Sequence, residues 1–143
     1  MNVSRPVILF DGVCNLCNAS VRWVLRRDTR ARFDFASLQS AASKRILEAA
    51  GVEGGAESLP DAIVLVDREG VHTGAAAALR IARRLSFPHS LPGVLGAAVP
   101  AAIRDPVYRF VARNRYRWFG RRDRCALPAP EHAARFLDAD EAR

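Results

Sequence analysis

The seven residues DGVCNLC, Asp11 to Cys17, follow directly on the apolar run VILF and lead into a stretch with helical periodicity. Two cysteines three apart at such a seam have three readings: half of a metal site, a redox couple, or core filling. What lies on either side has to choose. VILFD (7–11) is a short continuous apolar run of the kind that forms a buried strand. From Asn15 to Arg27, Leu16, Ala19, Val21, Trp23, Val24 and Leu25 recur at helical spacing, with Arg22, Arg26 and Arg27 on the other side.

Working outward, FDFASL (33–38) alternates as a second strand does, and Ser40 to Ala50 reads as a helix with Gly51 as its stop. VEGGAESLP (52–60) is a polar turn. AIVLVD (62–67) is the clearest strand in the chain, and REG turns it into a short partner, VHTG (71–74). Ala75 to Leu85 is a third helix. Strand, helix, strand, helix, strand, strand, helix is the thioredoxin order. It predicts an α/β fold with a central sheet of about four strands flanked by helices.

After Leu85 the character changes. FPHSLPGVLGAAVPAAI (87–103) is uncharged and broken by Pro88, Pro92 and Pro100. In RDPVYRFVARNRYRWFGRRDRC, Asp105 reads as the cap of a helix opening at Pro106 and ending at Gly120. At helical spacing Val107, Phe110 and Val111, with Tyr108, form an inward stripe, and the arginines a solvated face. EHAARFL (131–137) reads as a last short helix. The expectation is a thioredoxin-like body at 1–86 and a helical C-terminal extension at 87–143, packed as one domain.

With 143 residues, half of them hydrophobic, the chain has the size and composition of one domain with its own core. It needs no covalent staple, so its three cysteines are free for other work. No secretory pattern opens the sequence, and no window reaches the roughly 18 apolar residues of a membrane span. The expected compartment is a reducing cytoplasm, where paired cysteines bind metal or carry out chemistry more often than they brace a fold. The net charge of +7 is almost all arginine, Lys44 being the lone lysine. A basic chain attracts acidic partners.

C-x-x-C beside a strand–helix–strand pattern reads as a redox motif. With Cys14 at the helix N-terminus, unpaired N–H groups and the helix dipole favour its thiolate, the attacking species in disulfide exchange. Cys17, one turn on, reaches back and resolves the mixed disulfide by attacking the Cys14 sulfur. Asp11 is placed to accept or relay the proton of the resolving thiol, while its charge opposes ionisation of that thiol. The plainer reading makes Asp11 a solvated strand end or an acceptor at the helix start.

With DGVCNLC, VRWVLRRD, FASLQS, AIVLVDREG and RDPVYRFVARNRYRWFGRRDRC in view, the chain resembles the DCC family of thiol-disulfide oxidoreductases. That family is named for an Asp and two Cys, here Asp11, Cys14 and Cys17. The resemblance runs from Val7 to Leu137. It implies a thioredoxin-like fold and a disulfide-exchange activity without a cofactor, on a protein or small-molecule disulfide and with a separate thiol donor. By likeness to thioredoxins Pro60 is the cis-proline that faces the CxxC and holds an extended substrate; the plainer reading makes it an ordinary loop proline. Arg115, Tyr116 and Trp118 are expected to dock on the active-site side. Cys125 is either a third redox thiol or a buried small hydrophobe.

Three other readings compete. Zinc would use Cys14 and Cys17 with Cys125 and His132, although the second pair is spaced too widely for a usual structural site. Arginines interleaved with Tyr108, Tyr116, Trp118 and Phe119 suit a basic binding module for nucleic acid or an acidic partner, the cysteines then being incidental. A haloacid dehalogenase-type phosphatase also opens on an apolar strand ending in Asp, but it needs a second acid where this chain has Val13. His72, His89 and His132 are scattered and expected at the surface.

Overall fold

The computed structural model describes residues 5–12, 14–28, 32–38, 40–52, 63–85, 98–120 and 135–137. Its elements are β1 (Val7–Phe10), α1 (Asn15–Arg27), β2 (Asp34–Ser37), α2 (Ala41–Ala49), β3 (Ile63–Asp67), β4 (Gly70–Thr73), α3 (Gly74–Arg83) and α4 (Ala101–Phe119). The sheet runs in the order β2-β1-β3-β4, with β1 parallel to β2 and both other pairings antiparallel. This is the thioredoxin-like arrangement the order of elements predicts.

Alternation along the strands splits the core into two layers. Ile8, Phe10, Phe35 and Leu65 point to one face and pack with Val21 and Val24 of α1 and Ala77 and Ile81 of α3. Val7, Leu9, Ala36, Val64 and Val66 point to the other and pack with Leu47 and Ile46 of α2. Both faces are covered, which is why VILF and IVLV read as continuous apolar runs. The α2 helix starts where Ser40 accepts the Ser43 N–H, as a serine cap should. Between β3 and β4 the chain turns at Arg68-Glu69, with Gly70 at φ 127°, a backbone that side chains disfavour. At the base of that turn Asp67 is buried and accepts from the Glu69 N–H and from Arg84, both at 2.9 Å. Burial pushes the Asp67 carboxyl up, but Arg84, His72 and the Glu69 N–H outweigh it and hold the group below the usual carboxylate range.

Three expectations are corrected. The helix read as starting at Pro106 starts at Ala101, capped by Pro100, and Pro106 lies inside it. Pro106 sits in the second turn, where a missing N–H costs one bond of a solvent-facing ladder. Its apolar stripe holds only in part: Val111 and Tyr108 are partly covered, but Val107 and Phe110 face out at 59% and 52% exposure, and Ala112 is the residue of α4 that is buried. Tyr108, Arg115 and Tyr116 are partly covered on that inward side, where α4 lies against α1 and α3. Finally, residues 135–137 of the expected terminal helix do not form α-helix. Phe136 makes a parallel bridge to Phe35 and stacks on it with ring centroids 5.2 Å apart. Arg135 beside it is bonded to the Phe33 carbonyl at 3.1 Å and to the buried carboxylate of Asp28.

Candidate functional site

Cys14 ends the loop after β1 and caps α1. Its backbone is extended (φ −85°, ψ 124°), and its Sγ accepts the Cys17 N–H at 3.4 Å. A side-chain oxygen normally fills this place; here a sulfur takes it, at the positive end of the helix dipole, with the Cys17 N–H as its donor. Cys17 lies one turn on, among the core residues under the sheet. Asn18, buried, donates its amide to the carbonyls of Gly12 at 2.8 Å and Cys14 at 2.9 Å, fastening the loop to the first turn. Both thiols are free, Cys14 at 0% and Cys17 at 2% exposure.

Burial pushes the Cys17 thiol well above the ordinary cysteine range. The hydrogen bond and charge of Cys14 add to this, as does the charge of Asp11, while Arg115 pulls the other way. Cys17 therefore keeps its proton while Cys14 is free.

Asp11 is 3% exposed, which overturns the plainer reading of it as a solvated strand end. Its carboxylate accepts from the Arg115 guanidinium at 3.0 Å and from the Tyr116 hydroxyl. Arg115 also lies over the Tyr116 ring, 4.6 Å from its centroid. Burial works against the charge of Arg115, but the bond to Asp11 dominates and raises its pKa. Burial and then the bond to Asp11 likewise keep the Tyr116 hydroxyl protonated above its usual range. A carboxylate from the strand end and a cation from α4 thus neutralise each other beside the dithiol.

A second tie joins the same elements. The Asn15 N–H donates to the Gly120 carbonyl at 3.3 Å, and the Asn15 amide donates to the Phe119 carbonyl at 2.9 Å. Gly120 has φ 87° and ψ 174°, a conformation only glycine adopts readily, and a Cβ there would stand 2.9 Å from Asn15 Nδ2. The end of α4 is latched to the residue beside Cys14.

Of the residues the sequence pointed to, Asp11, Cys14, Cys17, Arg115 and Tyr116 gather here. Trp118 does not join Asp11: it is half-exposed and meets Phe110 edge-on, with centroids 5.5 Å apart. Pro60, Cys125 and His132 lie outside the described residues, as does His89. Among the described residues no three His, Cys, Asp or Glu side chains gather as a metal site. His72 is partly covered rather than fully at the surface, with its Nε2 3.0 Å from buried Asp67. Asn15, Asn18 and Gly120 were missed. Asn18 was findable, since a polar side chain on the inward face of an apolar helix, four residues after Cys14, needs a backbone partner. On the same side of the sheet, an apolar groove of about 380 Å³ opens between α1 and α3, lined by Ala19, Trp23, Val24, Ile63, Ile81 and Leu85.

The family described as DCC1-like thiol-disulfide oxidoreductase matches residues 8–121. The uncharacterized protein YuxK of Bacillus subtilis is 42% identical over 135 residues, which cover 94% of this chain and 96% of that protein. The DCC family protein At1g52590, chloroplastic, of Arabidopsis thaliana is 37% identical over 126 residues, covering 86% of this chain and 70% of that protein. No solved structure matches the chain significantly. No helix among the described residues is long and apolar enough to cross a membrane.

Proposed function

This chain belongs to the DCC1-like thiol-disulfide oxidoreductase family, and we propose that it exchanges disulfides through Cys14 and Cys17, Cys14 attacking and Cys17 resolving. The observation that carries the reading is the Cys14 sulfur at the mouth of α1, accepting the Cys17 N–H with the companion thiol one turn behind. The Cys14 thiolate attacks one sulfur of a substrate disulfide, and the other sulfur leaves as a thiolate and takes a proton from water. Cys17 then attacks the Cys14 sulfur, the mixed disulfide breaks, and the second substrate thiol departs. Two electrons pass to the substrate, a Cys14–Cys17 disulfide remains, and an external dithiol donor returns it to the reduced pair.

The surroundings of Cys17 favour this order. Part of what holds its proton is the bond and charge of Cys14. Once Cys14 is joined to substrate its sulfur is neutral and that part is gone, so the resolving thiol ionises more readily when it is needed. Asp11, whose carboxylate accepts from Arg115 and Tyr116 beside the pair, relays the proton. Because Cys14 is covered, the substrate reaches it after the Asn15–Gly120 latch opens. We read Pro60, Arg115 and Tyr116 as the residues that hold the incoming chain. We read residues 87–143 as part of the same domain as the 1–86 body, since α4 supplies the partners of Asp11. A dithiol recycled by an external thiol donor suits a reducing cytoplasm.

The test is disulfide reduction with insulin as substrate and dithiothreitol as donor. Cys14→Ser is expected to show no activity above background. Cys17→Ser is expected to accumulate a mixed disulfide on Cys14, seen as an added mass that reducing agent removes. Full activity in Cys14→Ser would end this reading.

A further inference from the structure

The exposed apolar side of α4 has no role in the dithiol chemistry. We propose that the outward face of α4 docks on an anionic lipid surface. Ile103, Val107, Phe110 and Trp118 are 59%, 59%, 52% and 49% exposed, all large side chains on a helix of 19 residues. At helical spacing they fall within an arc of roughly 80°, opposite buried Ala112, along a helix about 28 Å long. Arg109, Arg113 and Arg117, four apart and exposed, form a row on one flank of that arc. Among the described residues none of the three has a carboxylate partner. The one acid of α4, Asp105, is held 3.8 Å from Arg104. An apolar stripe with a terminal Trp and a flanking arginine row matches a helix lying in the plane of a lipid interface, apolar face in the acyl boundary and cations at the headgroups.

Charge and shape decide between possible occupants. A second copy pairing through this face would bring the arginine rows of two chains of net charge +7 together. A helical peptide is received in a groove, whereas this stripe lies on the crest of a helix. A deformable anionic surface meets both the charge and the convexity.

The experiment is vesicle flotation of the full chain. Phosphatidylcholine vesicles are compared with vesicles holding about 30% phosphatidylglycerol, at about 0.1 M and 0.5 M salt. Co-flotation with the anionic vesicles alone, reduced at high salt, is expected. Phe110→Asp is expected to weaken partitioning roughly tenfold or more, the worth of one buried aromatic side chain. Arg113→Glu, which leaves the apolar stripe intact, should weaken it by about fivefold or more, the worth of one cation near such a surface. In Trp23→Phe, where Trp118 is the remaining tryptophan, anionic vesicles should shift its emission to the blue, and brominated lipid should quench it. Disulfide reduction in solution should be unchanged in Phe110→Asp and Arg113→Glu. The proposal is overturned by equal binding to neutral vesicles or no binding to either kind. It is overturned equally by binding that both substitutions leave intact, by an unquenched Trp118, or by lipid-free self-association that Phe110→Asp abolishes.

Discussion

Replacing Gly120 by alanine tests whether the end of α4 controls access to Cys14. Two costs follow from the geometry. A side chain at φ 87°, ψ 174° sits in a region that is nearly glycine-only, a strain of order 1–3 kcal/mol. The new Cβ would also stand 2.9 Å from Asn15 Nδ2, so the Asn15 amide has to leave the Phe119 carbonyl. Losing that hydrogen bond adds about 0.5–1.5 kcal/mol. Together they destabilise the latched state by about 2 kcal/mol or more. Since every 1.4 kcal/mol is tenfold in an equilibrium, the latch should open about thirtyfold more often. Alkylation of a thiol with no exposed surface proceeds through the open state, so its rate follows that population. Peptide mass spectrometry after a brief pulse of iodoacetamide reads the rate at Cys14 directly. Helical content, and protection of core amides outside α4 and the first turn of α1, should stay near wild type. A Cys14 rate unchanged in Gly120→Ala, with the protein still folded, would mean that the latch is not what covers the sulfur.

Two further outcomes follow from the same site. Cys17 has its pKa raised by folding, so the stability it contributes is complete below the unfolded value of about 8.5 and declines as pH rises above it, by up to about 1.4 kcal/mol per pH unit. Urea unfolding between neutral pH and pH 10 should show that decline, and Cys17→Ala should flatten it. Arg115→Met removes one partner of a buried pair and strands the Asp11 charge, a loss of about 3–5 kcal/mol for a fully buried pair and less here, because Arg115 keeps some contact with solvent. Chemical denaturation measures it, and Arg115→Lys should restore part of the loss.

The sheet and its first three helices were legible because each signal there has a single physical source. Continuous apolar runs mean strands covered on both faces, and Ser40 and Gly51 punctuate α2 through local chemistry alone. The placing of the cysteines was legible too, since the seam between an apolar run and a helical pattern puts Cys14 at the helix start and Cys17 one turn on. The reading failed on α4, where periodicity shows which residues share a face but not which face the body takes. Val107 and Phe110 form the more apolar side, yet the inward side carries Arg115 and Tyr116. The need of a buried carboxylate at Asp11 outweighed the greasier stripe, and the burial of Asp11 is a tertiary fact that no local pattern encodes. Phe136 misled in the same way: its place is fixed by the rings of Phe35 and Phe10, far away in sequence.

Asp11 explains why this body carries α4 at all. A carboxylate at 3% exposure, beside the layer that holds Phe10 and the two thiols, costs several kcal/mol to ionise unless a cation and a donor meet it. Arg115 and Tyr116 meet it from α4, on the inward side. Tyr116 joins the core there, whereas the more apolar stripe faces out. The acid beside the dithiol and the orientation of the helix are therefore one arrangement. Turning α4 to bury Val107 and Phe110 would gain apolar burial but leave Asp11 without these two partners beside Cys14 and Cys17. The orientation seen favours the chemistry of the strand end, and the exposed stripe is its consequence, open to whatever surface the flanking arginines attract.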